Sequence, residues 1–129
     1  MILDSSALIA VLFQEAQAPL MEEAMAEAAT LAVAAPTLLE TAVVAEGRFG
    51  LAMGNALDAL MARLDAEVVS FTAAHAAVAR EGWRRFGKGR HPAGLNLGDC
   101  FSYALAKSRD QPLLYKGDDF ARTDVKAAL

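Results

Sequence analysis

The chain has a single cysteine, Cys100, in 129 residues. One thiol excludes an internal disulfide and suits a reducing compartment. No apolar run reaches the ~18 residues a membrane span needs, because Glu, Gln or Arg interrupts each one. The opening MILDSSALIAVLF lacks a basic leader, which speaks against a secretory signal and for a cytoplasmic protein without a membrane role. Neither a Walker sequence nor GxGxxG is present, so the glycine-rich phosphate loops of nucleotide enzymes are absent. The two histidines, His75 and His91, have no cysteine or histidine partner at zinc spacing. His75 reads as a helix-surface or satisfied core residue, and Cys100, beside Phe101, as a buried thiol. With no repeat and no dividing linker, residues 1–129 are expected to form one domain.

What is present is a composition of 55% hydrophobic and 22% charged residues, that of a globular protein able to bury a core. The net charge of −4 argues against nucleic-acid binding over the whole surface. Charge is nevertheless uneven: Arg80, Arg84, Arg85, Lys88 and Arg90, five of the twelve Lys/Arg residues, fall in one eleven-residue stretch.

Periodicity and punctuation divide the chain into alternating short apolar runs and helices. Met1-Ile2-Leu3 is an apolar run ending at Asp4, with Ser5 and Ser6 as capping residues for a helix over 7–13. A second helix with an acidic face covers 19–29, and 31–35, closed by Pro36, reads as a strand. Thr37 is expected to cap the next helix, loosened at its end by Gly47, Gly50 and Gly54, and residues 55–66 form another amphipathic helix. Residues 67–71 are a β-branched strand, and Thr72 caps a helix to about Phe86. Glycines, Pro92 and basic residues mark 87–98 as an irregular loop. Asn96 caps a helix from 97 to about 108, and 112–115 is a strand running into the turn 116–119. Strands alternating with helices imply βαβ units: an α/β fold with a mostly parallel sheet and helices on both faces.

Ligands of such sheets sit at the carboxyl ends of the strands. Acids recur there. Asp4 follows the first strand, Glu40 the second, Asp118 and Asp119 the last, while Asp99 lies in the first turn of a late helix. Each has a plain structural use as helix cap, dipole partner or turn residue. Together they are expected to converge on a metal-sized cluster, since gathered carboxylates must take up protons or bind a cation. A hard divalent ion such as Mg²⁺ is the natural partner, and it suits phosphodiester hydrolysis by water.

Four segments carry a resemblance. Ile2-Leu3-Asp4-Ser5-Ser6-Ala7-Leu8, Pro36-Thr37-Leu38-Leu39-Glu40, the run Leu95 to Ala106 (LNLGDCFSYALA) and Leu113 to Phe120 (LLYKGDDF) are similar to the four signature segments of PIN-domain proteins. The third is the most specific. The compact length resembles the VapC-type toxins of toxin–antitoxin pairs. The resemblance implies a PIN-like three-layer α/β/α domain and a Mg²⁺- or Mn²⁺-dependent endoribonuclease, usually homodimeric and inhibited by a cognate VapB-type antitoxin.

By position, Asp4, Glu40 and Asp99 match the family's acids. Asp118 and Asp119 compete for the fourth place; the family pattern of Asp before Phe favours Asp119, and either could serve the metal. Ser6 and Asn96 are read as supporting residues. Arg84, Arg85, Lys88 and Arg90 are candidate RNA-backbone contacts, and Phe86 reads as a loop anchor more than a base-stacking residue. The dimer is expected through residues 19–66, whose Met21, Met25, Met53 and Met61 offer apolar surface. Two rivals stand beside this reading: a PIN-like scaffold without activity, and a haloacid-dehalogenase-like hydrolase. The first is disfavoured because all four acidic positions are filled. The second needs Asp two residues after Asp4, where Ser6 stands. Carboxylate–Mg²⁺ chemistry leaves a DNase open.

Overall fold

The computed structural model describes residues 1–129. Its elements in chain order are β1 (Ile2–Leu3), α1 (Ser5–Leu12), α2 (Ala18–Glu27), β2 (Ala32–Ala34), α3 (Ala35–Phe49), α4 (Leu51–Leu64), β3 (Glu67–Val69), α5 (Ala73–Phe86), α6 (Leu97–Arg109) and β4 (Leu113–Leu114). A 3₁₀ turn, Phe120–Arg122, follows, and the sequence pattern had not marked it. All pairings of the four strands are parallel, in the order β3-β2-β1-β4. Ile2 registers with Ala32 on one side and with Leu113 on the other.

Strand side chains alternate, so each face collects its own core. Ile2, Ala32, Ala34 and Leu113 pack with residues of α5 and α6. Leu3, Val33 and Leu114 pack with residues of α1, α2 and α4. A sheet covered by helices on both faces is the expected three-layer α/β/α arrangement. It also explains why strands only two or three residues long suffice, each being buried on both faces, except that Glu67 and Val68 of the edge strand β3 are exposed.

The chain runs outward from β1 to β2 to β3, then crosses back through α5 and α6 to place β4 on the other side of β1. The direction of winding therefore reverses between β1 and β4. Their carboxyl ends open a crevice, the usual ligand position in an open parallel sheet.

Several local expectations are corrected. The cap of α1 is Asp4, whose side chain accepts from the Ser6 N–H, while Ser5 and Ser6 lie inside the helix. Thr37 also lies inside its helix, fully buried, because α3 begins at Ala35 with Pro36 in its first turn. Gly54 does not loosen a helix end: it is within α4, where the Glu46 side chain occupies the space a Cβ would need. Gly50, at φ +82°, makes the break between α3 and α4. Met21 and Met25 belong to the core and offer no docking surface. The exposed large apolar residues of 19–66 are instead Leu20, Leu39, Val43, Val44, Phe49 and Leu51.

Candidate active site

Asp4 leaves β1 at its carboxyl end and is only 3% exposed. A carboxylate so buried needs donors on both oxygens. Oδ2 accepts from the Ser6 N–H at 3.0 Å and the Ser6 hydroxyl at 2.6 Å. Oδ1 accepts from the Ser102 hydroxyl at 2.6 Å. Ser102 is fully buried and lies 3.4 Å from Thr37 Oγ1, while Thr41 ties back to the Thr37 carbonyl. Hydroxyls from α1 and α6 thus grip Asp4 from two sides, with α3 behind them. The Ser6 hydroxyl also accepts from the Lys116 N–H at 2.9 Å, which joins the start of α1 to the turn after β4.

Asp99 is held by a reciprocal cap. Asn96 Oδ1 accepts from the Asp99 N–H at 2.9 Å, and Asp99 Oδ2 accepts from the Asn96 N–H at 3.0 Å. The Asn96 cap expected from the sequence is thus one half of a capping box, with Asp in the place of the usual Glu or Gln. Burial pushes the Asp99 carboxyl up to about 6, with the charges of Asp4, Asp119 and Glu40 adding to the rise and the Asn96 N–H opposing it.

Glu40, half-buried on α3, lays its carboxylate against Gly98 in the first turn of α6. A Cβ on Gly98 would collide with it. Asp119 is exposed, one residue before the 3₁₀ turn. Asp4, Glu40, Asp99 and Asp119 all line one cavity of about 260 Å³, together with Ser5, Ser6, Val44, Asn96, Lys116 and Phe120. Asp118 does not line it, although it had been a candidate ligand beside Asp119.

The cavity is looser than the metal-sized cluster expected. No three acids, cysteines or histidines stand close enough to hold one ion directly. Fixed donors aim Asp4 and Asp99 separately, and like charges favour separation. The donor set nonetheless fits Mg²⁺ or Mn²⁺. The side chains are hard oxygen donors, and Mg²⁺ takes one or two carboxylates directly and reaches others through water. None of the five ion pairs of the protein uses a cavity carboxylate, so their charge stands uncompensated by side chains.

The basic candidates lie elsewhere. Arg85 pairs with Asp124 at 3.0 Å and covers the Phe86 ring at 4.7 Å, and Arg90 covers Trp83 at 4.5 Å. Arg84 and Lys88 are exposed and in no ion pair. None of the four lines the cavity. Phe86 is buried, a loop anchor and no base-stacking surface. His75 Nδ1 closes the Thr72 cap of α5. The Cys100 thiol is buried and pushed up to about 11 by that burial and by Asp99, so it stays protonated at neutral pH.

Sequence reasoning gave no role to Ser102, Gly98, Thr37 or Lys116 at this site. One signal was available for Ser102: it lies three residues after Asp99, one helical turn on, and so shares its face.

Comparisons with known proteins identify the family. The PIN domain family model matches residues 1–126. A ribonuclease VapC of Mycolicibacterium smegmatis is 50% identical over 127 residues, covering 98% of both chains. Ribonuclease VapC30 of Mycobacterium tuberculosis is 46% identical over 125 residues, covering 97% of this chain and 95% of the relative. In fold, the chain is similar to the crystal structure of Mycobacterium tuberculosis VapC20, described as a sarcin–ricin loop cleaving toxin. The TM-score is 0.79 at 19% identity, over 96% of this chain and 95% of that one. With its parallel sheet, its acids at the strand ends and relatives matched end to end, this chain belongs to the PIN-domain family, within its VapC ribonuclease branch.

Proposed function

We propose that this chain is a Mg²⁺- or Mn²⁺-dependent endoribonuclease, the toxin of a VapBC-like toxin–antitoxin pair. The observation that carries the reading is four carboxylates, from the end of β1, the second turn of α3, the first turn of α6 and the segment after β4, lining one cavity without a side-chain counter-ion. Asp4, Asp99 and Asp119 are the residues that would serve the ion, one or two of them directly and the rest through water, with Glu40 beside them to orient water. When bound, the ion supplies charge neutralisation at the phosphodiester and a more acidic water.

The chain's own residues do the rest. Ser6 and Ser102 fix both oxygens of Asp4, so its direction does not depend on rotamer sampling. Asn96 fixes Asp99. Burial and the neighbouring acids raise the Asp99 carboxyl in the metal-free protein, so a divalent cation and a proton would compete for it. Gly98 leaves room for Glu40. Among Arg84, Arg85, Lys88 and Arg90, only Arg84 and Lys88 have neither an ion pair nor an aromatic ring to cover, which leaves them to meet an RNA backbone.

The partner readings follow from the same charges and surfaces. A cognate VapB-type antitoxin inhibits by placing an Arg on the carboxylates, which a guanidinium forks onto, while its helix packs on an apolar groove. Replacing that Arg with Ala restores cleavage while the complex still forms. The chain pairs as a cytoplasmic homodimer through residues 19–66, where Leu39, Val43 and Leu51 are exposed; a monomer at micromolar concentration by light scattering would refute it.

The deciding experiment incubates the purified protein with total RNA, with and without Mg²⁺, beside Asp4→Asn. Cleavage by the wild type in Mg²⁺ alone is expected. Full activity in EDTA, or an equally active Asp4→Asn, overturns the reading.

A further inference from the structure

Lys116 is the only cation among the ten residues that line the acidic cavity. It stands two residues past β4, and its main chain is anchored to the acids. Its N–H donates to the Ser6 hydroxyl at 2.9 Å, and that hydroxyl donates to Asp4 at 2.6 Å. One oxygen therefore fixes the Lys116 backbone relative to Asp4. The ammonium, however, is not spent on the cavity carboxylates. It pairs with Glu15, just beyond the end of α1. Both side chains of that pair are about a third exposed, 37% and 29%. A pair this open to water is held weakly, so its members exchange partners easily.

An RNA strand approaching four carboxylates is repelled by them. No residue of the basic segment 80–90 lines the cavity, so its charges stand farther from the acids than Lys116 does. An ammonium on a flexible four-carbon stem, rooted at the cavity rim, can offset that repulsion.

We propose that Lys116 is a substrate-binding residue that takes hold of an RNA phosphate at the rim of the acidic cavity, and that Glu15 holds its ammonium aside until that phosphate displaces it. This deepens the ribonuclease reading and rests on it. Lys116 sets affinity for the strand, whereas the acids carry the chemistry. Glu15 is a competitor for the ammonium, so it weakens binding of the polyanion and keeps the free cavity mouth ordered.

The test measures cleavage of a single-stranded RNA in Mg²⁺ at several salt concentrations. It compares wild type, Lys116→Met, Lys116→Arg and Glu15→Gln, each checked for an unchanged melting curve. Lys116→Met is expected to raise KM about tenfold, the worth of one charge-assisted hydrogen bond, with kcat little changed. The salt slope of kcat/KM should fall by about 0.7, one single-strand phosphate contact. Lys116→Arg should keep both near wild type, and Glu15→Gln should lower KM. Lys116→Met with wild-type KM and slope overturns the proposal. So does a kcat loss without a KM change, or Glu15→Gln raising KM as far as Lys116→Met, since the pair would then only brace the turn. A wild type that cleaves no RNA in Mg²⁺ refutes the ribonuclease reading itself and this role with it, which separates the two failures.

Discussion

Two charged regions of this molecule are built in opposite ways. The acids gather at the carboxyl ends of β1 and β4, where Asp4 is 3% exposed and gripped by three donors. The basic segment 80–90 lies on the surface, at the end of α5 and the loop after it, and its charges are spent singly. Arg85 binds Asp124, which also accepts from the buried Tyr103 hydroxyl at 2.9 Å, and so pins the C-terminal segment to α5 and α6. Arg90 lies on Trp83. Holding a charge inside a fold requires a dedicated hydrogen-bond shell, whereas a surface charge needs only water. Clustering in sequence and clustering at a site are therefore different things: the basic residues are close in the chain, the acids close in space.

The largest expected effect of breaking this contrast is at its buried end. Asp4→Asn should lower RNA cleavage more than ~100-fold, beyond the ~10–100-fold typical of residues that only support a metal ligand. The fold should remain, because the amide oxygen still accepts from one set of donors. Steady-state cleavage and a thermal melt measure the two separately, and a fully active Asn variant would remove Asp4 from the chemistry.

Next comes the shell itself. Ser102→Ala leaves every acid in place but strips one donor from Asp4 Oδ1. Cleavage should fall by about 10–100-fold, and stability by about 1–2 kcal/mol for the lost buried hydrogen bond. Denaturant melts beside Mg²⁺-dependent cleavage check both. Unchanged cleavage at reduced stability would make Ser102 a core residue and nothing more.

A smaller effect is expected from pH. The Asp99 carboxyl is raised to about 6 in the fold against an unfolded value near 4. Between those values the folded protein binds more protons than the unfolded chain at this group, so the stability that Asp99 contributes is greatest below about pH 4. It is lost as pH rises through 6. Allowing for partial exposure, the loss attributable to Asp99 in metal-free protein is on the order of 1 kcal/mol. Chemical denaturation in EDTA from pH 4 to 7 measures it, against Asp99→Asn, which should flatten the slope. An equal slope in both proteins would place the titration elsewhere.

The smallest effects belong to the basic segment. Arg85→Ala should cost about 0.2–1 kcal/mol, the worth of an exposed ion pair, and leave cleavage unchanged. Arg84→Ala and Lys88→Ala should leave stability unchanged and raise KM a few-fold at low salt, an effect that fades as salt screens it. The opposite pattern, a stability loss at Lys88 and a cleavage loss at Arg85, would reverse the division of roles drawn here.

Much of this molecule was legible along the chain because its causes are local. The 3.6-residue period of Leu57 and Leu60, the caps at Thr72 and Asn96 and the glycine-rich loop after Phe86 depend on neighbours within a turn or two, and each element stands near its expected place. The alternation of strand and helix sufficed to imply a parallel sheet, since parallel strands need crossovers. It also put Asp4 and the Asp118–Asp119 pair after strands, and Glu40 just after one.

What the chain alone left open needed the third dimension. The choice between Asp118 and Asp119 turns on which way a turn after β4 faces, and only Asp119 lines the cavity. Ser102 meets Asp4 across 98 positions of sequence, and Gly98 matters because α3 delivers Glu40 to its side. Thr37 reads locally as a cap, yet Pro36 and the burial of β2 start the helix earlier and turn its hydroxyl inward. Short-range forces decide what each segment becomes. Which side chains stand within hydrogen-bond reach of a buried carboxylate is decided by how the layers close on one another, because only packing sets distances between residues far apart in the chain.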